Sequence, residues 1–186
     1  MRAFLALSLP AEVRSTLAAL QRQLQGEWPA RTSWARADQL HLTLRFLGEV
    51  EPSSARMLAD ALRPPLTALA PFSLTISGLG AFPSPSRPSV IWAGVAPCLD
   101  LFHLYLTINS IIDQIGFPSE EKPFSPHLTL GRLRDRVRVP EGGRILSRHD
   151  DAVLGVFPVR AVILFQSRLT SDGPIHTELN RFTLQG

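Results

Sequence analysis

The sequence predicts a duplicated α+β fold, with two lobes related by an approximate two-fold axis across a central cleft. Three observations carry that expectation. The tetrapeptide His-Leu-Thr-Leu occurs twice, at 41–44 and 127–130, an offset of 86 residues. Each copy follows the same succession of apolar strand, proline, amphipathic helix and loop, with Pro10 31 residues before His41 and Pro97 30 before His127. Of the 186 residues, 45% are apolar and 19% charged, which supplies a sizeable core and excludes wholesale disorder. The whole chain, 1–186, is expected to form one two-lobed domain.

The elements follow in order. Residues 3–9 are short, apolar and stopped by Pro10, the pattern of a buried strand. Pro10 opens a helix, where its missing N–H costs nothing, and Val13, Leu17, Leu20 and Leu24 recur at helical spacing up to Gly26. A loop carries Trp28 and Trp34, and Leu40 to Leu47 is the next strand. A second helix starts near Ser53 and is expected to be interrupted at Pro64-Pro65. Phe72 to Leu79 alternates as a strand. Residues 82–89 hold three prolines and form either a stiff connector or a loop presenting Arg87 at the rim of a site. Val90 to Val95 is a strand, and Leu101, Leu104, Ile108, Ile111, Ile112 and Ile115 make an apolar helix. A loop over 117–126 leads to a strand from His127 to Leu133. Residues 135–151 are polar with room for one short helix. Val153 to Phe157, Val159 to Ser167 and Ile175 to Leu184 are closing strands.

Composition excludes several classes. One cysteine, Cys98, leaves no intramolecular disulfide framework and no cysteine-rich metal site. The formal net charge is +3 and the pI is about 10.0, with Lys122 the single lysine among nineteen basic residues. That arginine excess is compatible with phosphate or nucleic-acid ligands without requiring them. The apolar run 3–9 is too short for a secretory core, and no run reaches the ~18 residues of a membrane span. The expected location is the cytoplasm, with no membrane partner.

Strand alternation places His41 with Thr43 on one face and Leu42 with Leu44 on the other. His127 and Thr129 oppose Leu128 and Leu130 in the same way. The leucines belong to the core, and the polar pairs face the space between lobes. A packing requirement repeats the leucines but has no need to repeat histidine and threonine. Two imidazoles divide acid and base work, and threonine hydroxyls donate to phosphate oxygens without adding charge. The set suits an in-line displacement at phosphorus that requires no metal and no cofactor; no His-Glu-x-x-His motif or phosphate-binding glycine loop is present.

These motifs resemble those of the two-histidine phosphoesterase superfamily. The segments Arg2 to Pro10, His41-Leu-Thr-Leu-Arg-Phe-Leu-Gly48, Phe82-Pro-Ser-Pro, Val90 to Val95, Pro126-His-Leu-Thr-Leu-Gly-Arg132 and Gln166-Ser167 are similar to the bacterial and archaeal RNA 2′,3′-cyclic phosphodiesterases, also called 2′-5′ RNA ligases. The resemblance implies two antiparallel-rich sheets backed by helices on the outside, with both motifs lining the groove. It implies opening of a 2′,3′-cyclic phosphate at an RNA 3′ end to a 2′-phosphate. In that scheme His41 is the general acid on the departing 3′ oxygen and His127 the general base on water. Thr43, Thr129 and Arg132 bind the phosphate. The implied partners are RNA ends, tRNA fragments among them, or cyclic nucleotides, with the protein a monomer. The alternatives are ATP-independent 2′-5′ ligation at the same site and a non-catalytic RNA- or nucleotide-binding module.

Several residues remain open. By alternation Arg132 has core parity, unless Gly131 permits a bulge, whereas Arg45 has cleft parity and Phe46 stands at the position equivalent to Arg132. His176 stands where the family often has a tyrosine, and no role is assigned to it. His103, in the apolar helix, is expected either on the helix surface or packed. His149 sits with Asp150 and Asp151 in a polar loop. Arg132, Arg134, Arg136 and Arg138 form either a solvated edge or an RNA-backbone contact. Phe4, Phe82 and Trp92 are expected in the core.

Overall fold

The computed structural model describes residues 1–186 apart from Glu121, Arg136, Ser171 and Asp172. Its elements are β1 (Arg2–Ser8), α1 (Ala11–Glu27), β2 (Thr32–Trp34), a 3-10 turn (Ala37–Gln39), β3 (His41–Glu49), α2 (Pro52–Thr67), β4 (Phe72–Phe82), β5 (Val90–Val95), α3 (Leu99–Gln114), β6 (His127–Leu133), α4 (Gly142–Ser147), β7 (Val153–Val159), β8 (Ala161–Thr170) and β9 (Gly173–Thr183). They form two sheets, ordered β3-β1-β8-β9 and β2-β6-β5-β4-β7, and every strand pairing is antiparallel. Five consecutive residues of β1, Ala3 to Leu7, are buried, so both faces of this strand are covered. Among the described residues no helix is long and apolar enough to cross a membrane.

The two repeats supply equivalent strand pairs, β1 with β3 and β5 with β6. Their helices are exchanged. α1 follows a strand of the first sheet but packs on the second: Val13 lies so close to Gly155 of β7 that a Cβ there would come within 2.9 Å of it. Gln21 of the same helix is buried and donates from Nε2 to the Leu130 carbonyl of β6 at 2.8 Å. α3 follows β5 of the second sheet but reaches the first, where Asn109 meets Arg45 of β3. α2 packs between α3 and β9. Each half of the sequence therefore covers the core of the other.

Both motif strands carry the same irregularity at the same place. In β3, Leu5 of β1 faces Arg45 while Ala6 faces Thr43, which leaves Leu44 as an extra residue. In β6, Ile91 of β5 faces Gly131 while Trp92 faces Thr129, which leaves Leu130 extra. A one-residue bulge reverses the parity of everything beyond it. Leu44 and Arg45 are consequently both buried, as are Leu130 and Gly131, and Phe46 and Arg132 emerge on the exposed face. This corrects strict alternation, which gives Arg45 the cleft and Arg132 the core. Gly131 matters here because a Cβ would meet the Thr32 methyl at 2.8 Å and the Trp34 ring at 3.1 Å.

Arg45 is 2% exposed and sits beneath its bulge. Its guanidinium donates to the Asn109 Oδ1 and the Pro118 carbonyl, and reaches Asp113 Oδ1 at 3.2 Å. In the other half Gln21 occupies the corresponding place, with Nε2 shared between the Ala35 and Leu130 carbonyls at 2.9 and 2.8 Å. Both buried polar groups are thus paired, as burial demands.

Other sequence expectations need correction. α2 runs through Pro64 and Pro65 to Thr67. The two prolines remove N–H donors only in the last turns, where the carbonyls of exposed Asp60 and half-exposed Ala61 reach water. β2, three residues inside the expected loop, pairs with β6 and carries too short a pattern to be read. β4 continues past Leu79 to Phe82. β7 extends through Pro158, which an edge strand tolerates.

Replacing Arg45 by Met leaves Asn109 Oδ1 and the Pro118 carbonyl without their donor and removes the ion pair with exposed Asp113, at a cost of roughly 3 kcal/mol. For a chain of this size that corresponds to a Tm lowered by about 6–12 °C. Calorimetry of Arg45→Met against Arg132→Met, an exposed position, tests this: a Tm within about 2 °C of wild type for both would refute the buried-clamp role. Adding Asn109→Leu to Arg45→Met should recover part of the loss.

Candidate active site

The two motif strands lie at the seam of the sheets. Of the described strand pairs that cross from one sheet to the other, β3 and β6 make the closest association. His41, Thr43, His127 and Thr129 are all half-buried, while Leu42, Leu44, Leu128 and Leu130 between them are in the core. Among the described residues, neither threonine hydroxyl has a protein hydrogen-bond partner.

Both imidazoles are held by the same local device. His41 Nδ1 lies 2.7 Å from the Gln39 carbonyl, and His127 Nδ1 lies 2.7 Å from the Ser125 carbonyl, in each case two residues upstream. A carbonyl only accepts, so Nδ1 carries the proton in both rings and Nε2 is left as the working nitrogen. Two rings with the same tautomer, each offering Nε2, form a pair in which either can take a proton and either, once protonated, can give one.

The two environments differ. Around His41 stand Phe4, with ring centroids 4.8 Å apart, and His176, 5.1 Å away and edge-on at 89°. Phe165 stacks on Phe4 at 5.3 Å, and His176 meets Phe4 at 4.9 Å. Burial in this aromatic shell pushes the His41 imidazole down to about 4; the Gln39 carbonyl opposes that shift, and nearby His176 adds to it. Burial also lowers His176, whose Nδ1 has no partner among the described residues. Its backbone N–H donates to the Gln39 side-chain oxygen at 3.2 Å, so Gln39 binds both histidines.

Around His127 stand Phe82, edge-on at 5.0 Å, and Trp92, at 6.4 Å. Trp92 lies across Gly80, where a Cβ would fall 2.2 Å from its ring. Beyond the bulge, exposed Arg132 shares the face of His127 and Thr129. The equivalent residue beside His41 and Thr43 is Phe46, 62% exposed and 6.1 Å from Phe4. One half thus offers an aromatic ring where the other offers a cation.

The five residues predicted for the site fall on two strands, with His41 and Thr43 on β3 and His127, Thr129 and Arg132 on β6. Phe4 is buried as expected, whereas Phe82 and Trp92 are half-buried outside the core, a correction to the expected placement; the three rings form walls around the histidines. Sequence reasoning missed His176 and Phe165 as neighbours of His41. Their signal is the register of the β8–β9 hairpin, in which Ser167 faces His176. Arg87 and His103 are exposed, and His149 is half-buried. Among the described residues no group of three or more His, Cys, Asp or Glu side chains is placed to hold a metal ion. Arg136 lies outside the described residues.

Known proteins share this fold. Residues 7–92 match the family model described as LigT-like phosphoesterase. A protein of Methanothermobacter thermautotrophicus named RNA 2′,3′-cyclic phosphodiesterase is 30% identical over 99% of this chain and 99% of its own. One of Archaeoglobus fulgidus with the same name is 31% identical over 98% and 99%. The crystal structure of a Thermus thermophilus protein superposes with a TM-score of 0.85 at 29% identity, covering 100% of this chain and 99% of that one. Escherichia coli LigT, solved in complex with 3′-AMP, gives 0.80 at 28% identity over 100% and 98%. Full-length identity at this level, on the same two sheets, means that this chain belongs to the LigT-like phosphoesterase family.

Proposed function

We propose that the protein opens 2′,3′-cyclic phosphates at RNA 3′ ends to leave 2′-phosphates, without a metal, using His41 and His127 as its acid–base pair. The observation that carries this reading is the duplicated imidazole: two half-buried histidines, each with Nδ1 engaged by the carbonyl two residues upstream and Nε2 left over. The names of the full-length relatives support the substrate class.

The chemistry follows from the residues. His127 Nε2 removes a proton from water as the oxygen attacks phosphorus. The bond from phosphorus to the 3′ oxygen breaks on the opposite side, and His41 Nε2–H delivers a proton to that oxygen. The product carries a 2′-phosphate and a free 3′-hydroxyl. Thr43 and Thr129 donate to the non-bridging oxygens, and Arg132 offsets the charge that builds there. The aromatic walls keep the site poor in water and strengthen these contacts.

His41 is neutral at pH 7 in the free protein, because burial holds it near 4. A phosphate anion against Nε2 supplies the favourable charge that burial withholds, so substrate binding raises the pKa of its own acid. The same lowered value favours a second reading in which His41 is the base and His127 the acid. The doubly protonated pair is inactive under either assignment. kcat/KM should therefore be lost on the acid side only as the pH falls through about 4, where His41 titrates. A pH–rate profile paired with NMR titration of His41 tests this; an acid limb that leaves the His41 titration would refute it.

A short RNA ending in a 2′,3′-cyclic phosphate should be hydrolysed fully in EDTA, with 2′-phosphate as the product. His41→Ala and His127→Ala should each lose about 10²–10⁴-fold in kcat/KM. Wild-type binding without turnover would overturn the reading in favour of a binding module. A substrate with sulfur at the 3′ bridging position leaves as a thiolate and needs no acid. It should restore turnover to His41→Ala and not to His127→Ala; the opposite pattern would exchange the two roles.

A further inference from the structure

Three segments meet at the β2 edge of the second sheet. Arg132 of β6 pairs with Ser33 of β2 on one side and Val90 of β5 on the other. Beyond the strand, the Arg134 N–H donates to the Arg31 carbonyl at 3.4 Å, the Leu133 N–H to the Ser89 carbonyl at 3.0 Å, and the Val139 N–H to the Ser86 carbonyl at 2.9 Å. This lacing gathers Arg31, Arg87, Arg134 and Arg138 around the end of β6, continuous with Arg132.

All five arginines are exposed, and among the described residues none of their side chains has a hydrogen-bond or ion-pair partner. Elsewhere on the surface, Arg36, Arg148 and Arg181 each hold a carboxylate. The acidic side chains in the same region are Asp135 and Glu141. They line, with Arg31 and Arg138, a shallow groove of about 330 Å³ whose walls are residues 29–31, Asp135 and residues 137–141. Five guanidinium groups outnumber these two carboxylates, neither of which is ion-paired with them among the described residues, and a chain of phosphodiesters supplies the missing negative charge while matching their donor geometry.

The spacing fits a strand that extends from the reacting end. Arg134 is two residues beyond Arg132 and just past the end of β6, which places it a further ~6 Å along the strand direction from His127, on the side of nucleotides upstream of the terminal one.

We propose that this arginine rim grips the single-stranded RNA upstream of the cyclic phosphate, so that the protein prefers an oligonucleotide end to a cyclic mononucleotide. The inference rests on the RNA-end reading above and specifies its substrate. Arg132 belongs to the phosphate site; Arg31, Arg134 and Arg138 belong to the rim alone.

The test compares wild type with Arg31→Gln/Arg134→Gln/Arg138→Gln on two substrates: a cyclic 2′,3′-mononucleotide and a ten-nucleotide RNA ending in the cyclic phosphate. Binding of the same RNA ending in a 3′-phosphate is measured by anisotropy over a range of salt. The triple variant should lose tenfold or more in kcat/KM on the oligonucleotide and stay within twofold on the mononucleotide. Its log–log salt slope for binding should be shallower by about 2, at ~0.7 per lost contact. The corresponding Arg→Lys triple should recover most of the affinity, and an unchanged Tm shows that the fold is intact. Equal losses on both substrates, or an unchanged oligonucleotide kcat/KM and salt slope, would overturn the proposal. If wild type turns over neither substrate, the hydrolysis reading fails by itself, and the binding slope still decides the rim.

Discussion

One extra residue at the same place in each motif strand decides which side chains share a face with the two histidines. Without Leu44 and Leu130 inserted into their ladders, Phe46 and Arg132 would point into the core, and Arg45 would stand in the groove. A bulge leaves backbone groups unpaired and bends its strand, so it must be supported from below. The support is polar in both halves: the Gln21 amide accommodates the Leu130 carbonyl, and Arg45 turns down to Asn109 and Asp113. Each supporting helix comes from the opposite repeat. The device that aims the groove residues therefore also locks the two halves together, and neither helix is free to shift without disturbing a motif strand.

From matched backbones the two sides build unlike environments. His41 sits among Phe4, Phe165 and His176, and its charged form is disfavoured. On the other side the bulge delivers an arginine, and four more gather beyond it. A symmetric pair of imidazoles in identical surroundings would titrate alike, and neither would have a reason to hold a proton while its twin did not. The asymmetry comes from what packs around the rings, since the motifs themselves and the carbonyls that orient them are the same.

The sequence made the motif legible because two periods coincide: the repeat of 86 residues and the two-residue alternation within a strand. Their agreement identified four side chains and their shared face. Arg45 and Arg132 were not legible, since a bulge leaves the hydrophobic pattern intact on its near side and inverts it beyond. Gly131 was the one hint, and its Cβ-sized gap against Thr32 and Trp34 explains it. The exchange of helices was invisible because helical periodicity says that a face is buried, not which sheet buries it. β2 was missed for brevity, and the closing of α2 through two prolines was missed because the prolines stand where the lost donors cost least. His176 could not be connected to His41 from sequence, since 135 residues and a hairpin register separate them.

Gln39 shows how far local chemistry is tied to the whole fold. It ends the 3-10 turn immediately before β3, and it offers two oxygens to two different elements. Its backbone carbonyl fixes the His41 ring, and its side-chain oxygen accepts the backbone N–H of His176 on β9. The outermost strand of the first sheet is thereby fastened beside the opposite edge strand, and the imidazole of His176 is brought edge-on to His41. The counterpart beneath His127 is Ser125, which supplies the carbonyl and, among the described residues, no such second tie. His41 is thus tied to β9 as well as to its own strand, whereas the hydrogen bond that orients His127 comes from the loop that enters its own strand. Two histidines that the sequence writes identically are held by different amounts of structure, just as they are surrounded by unlike side chains.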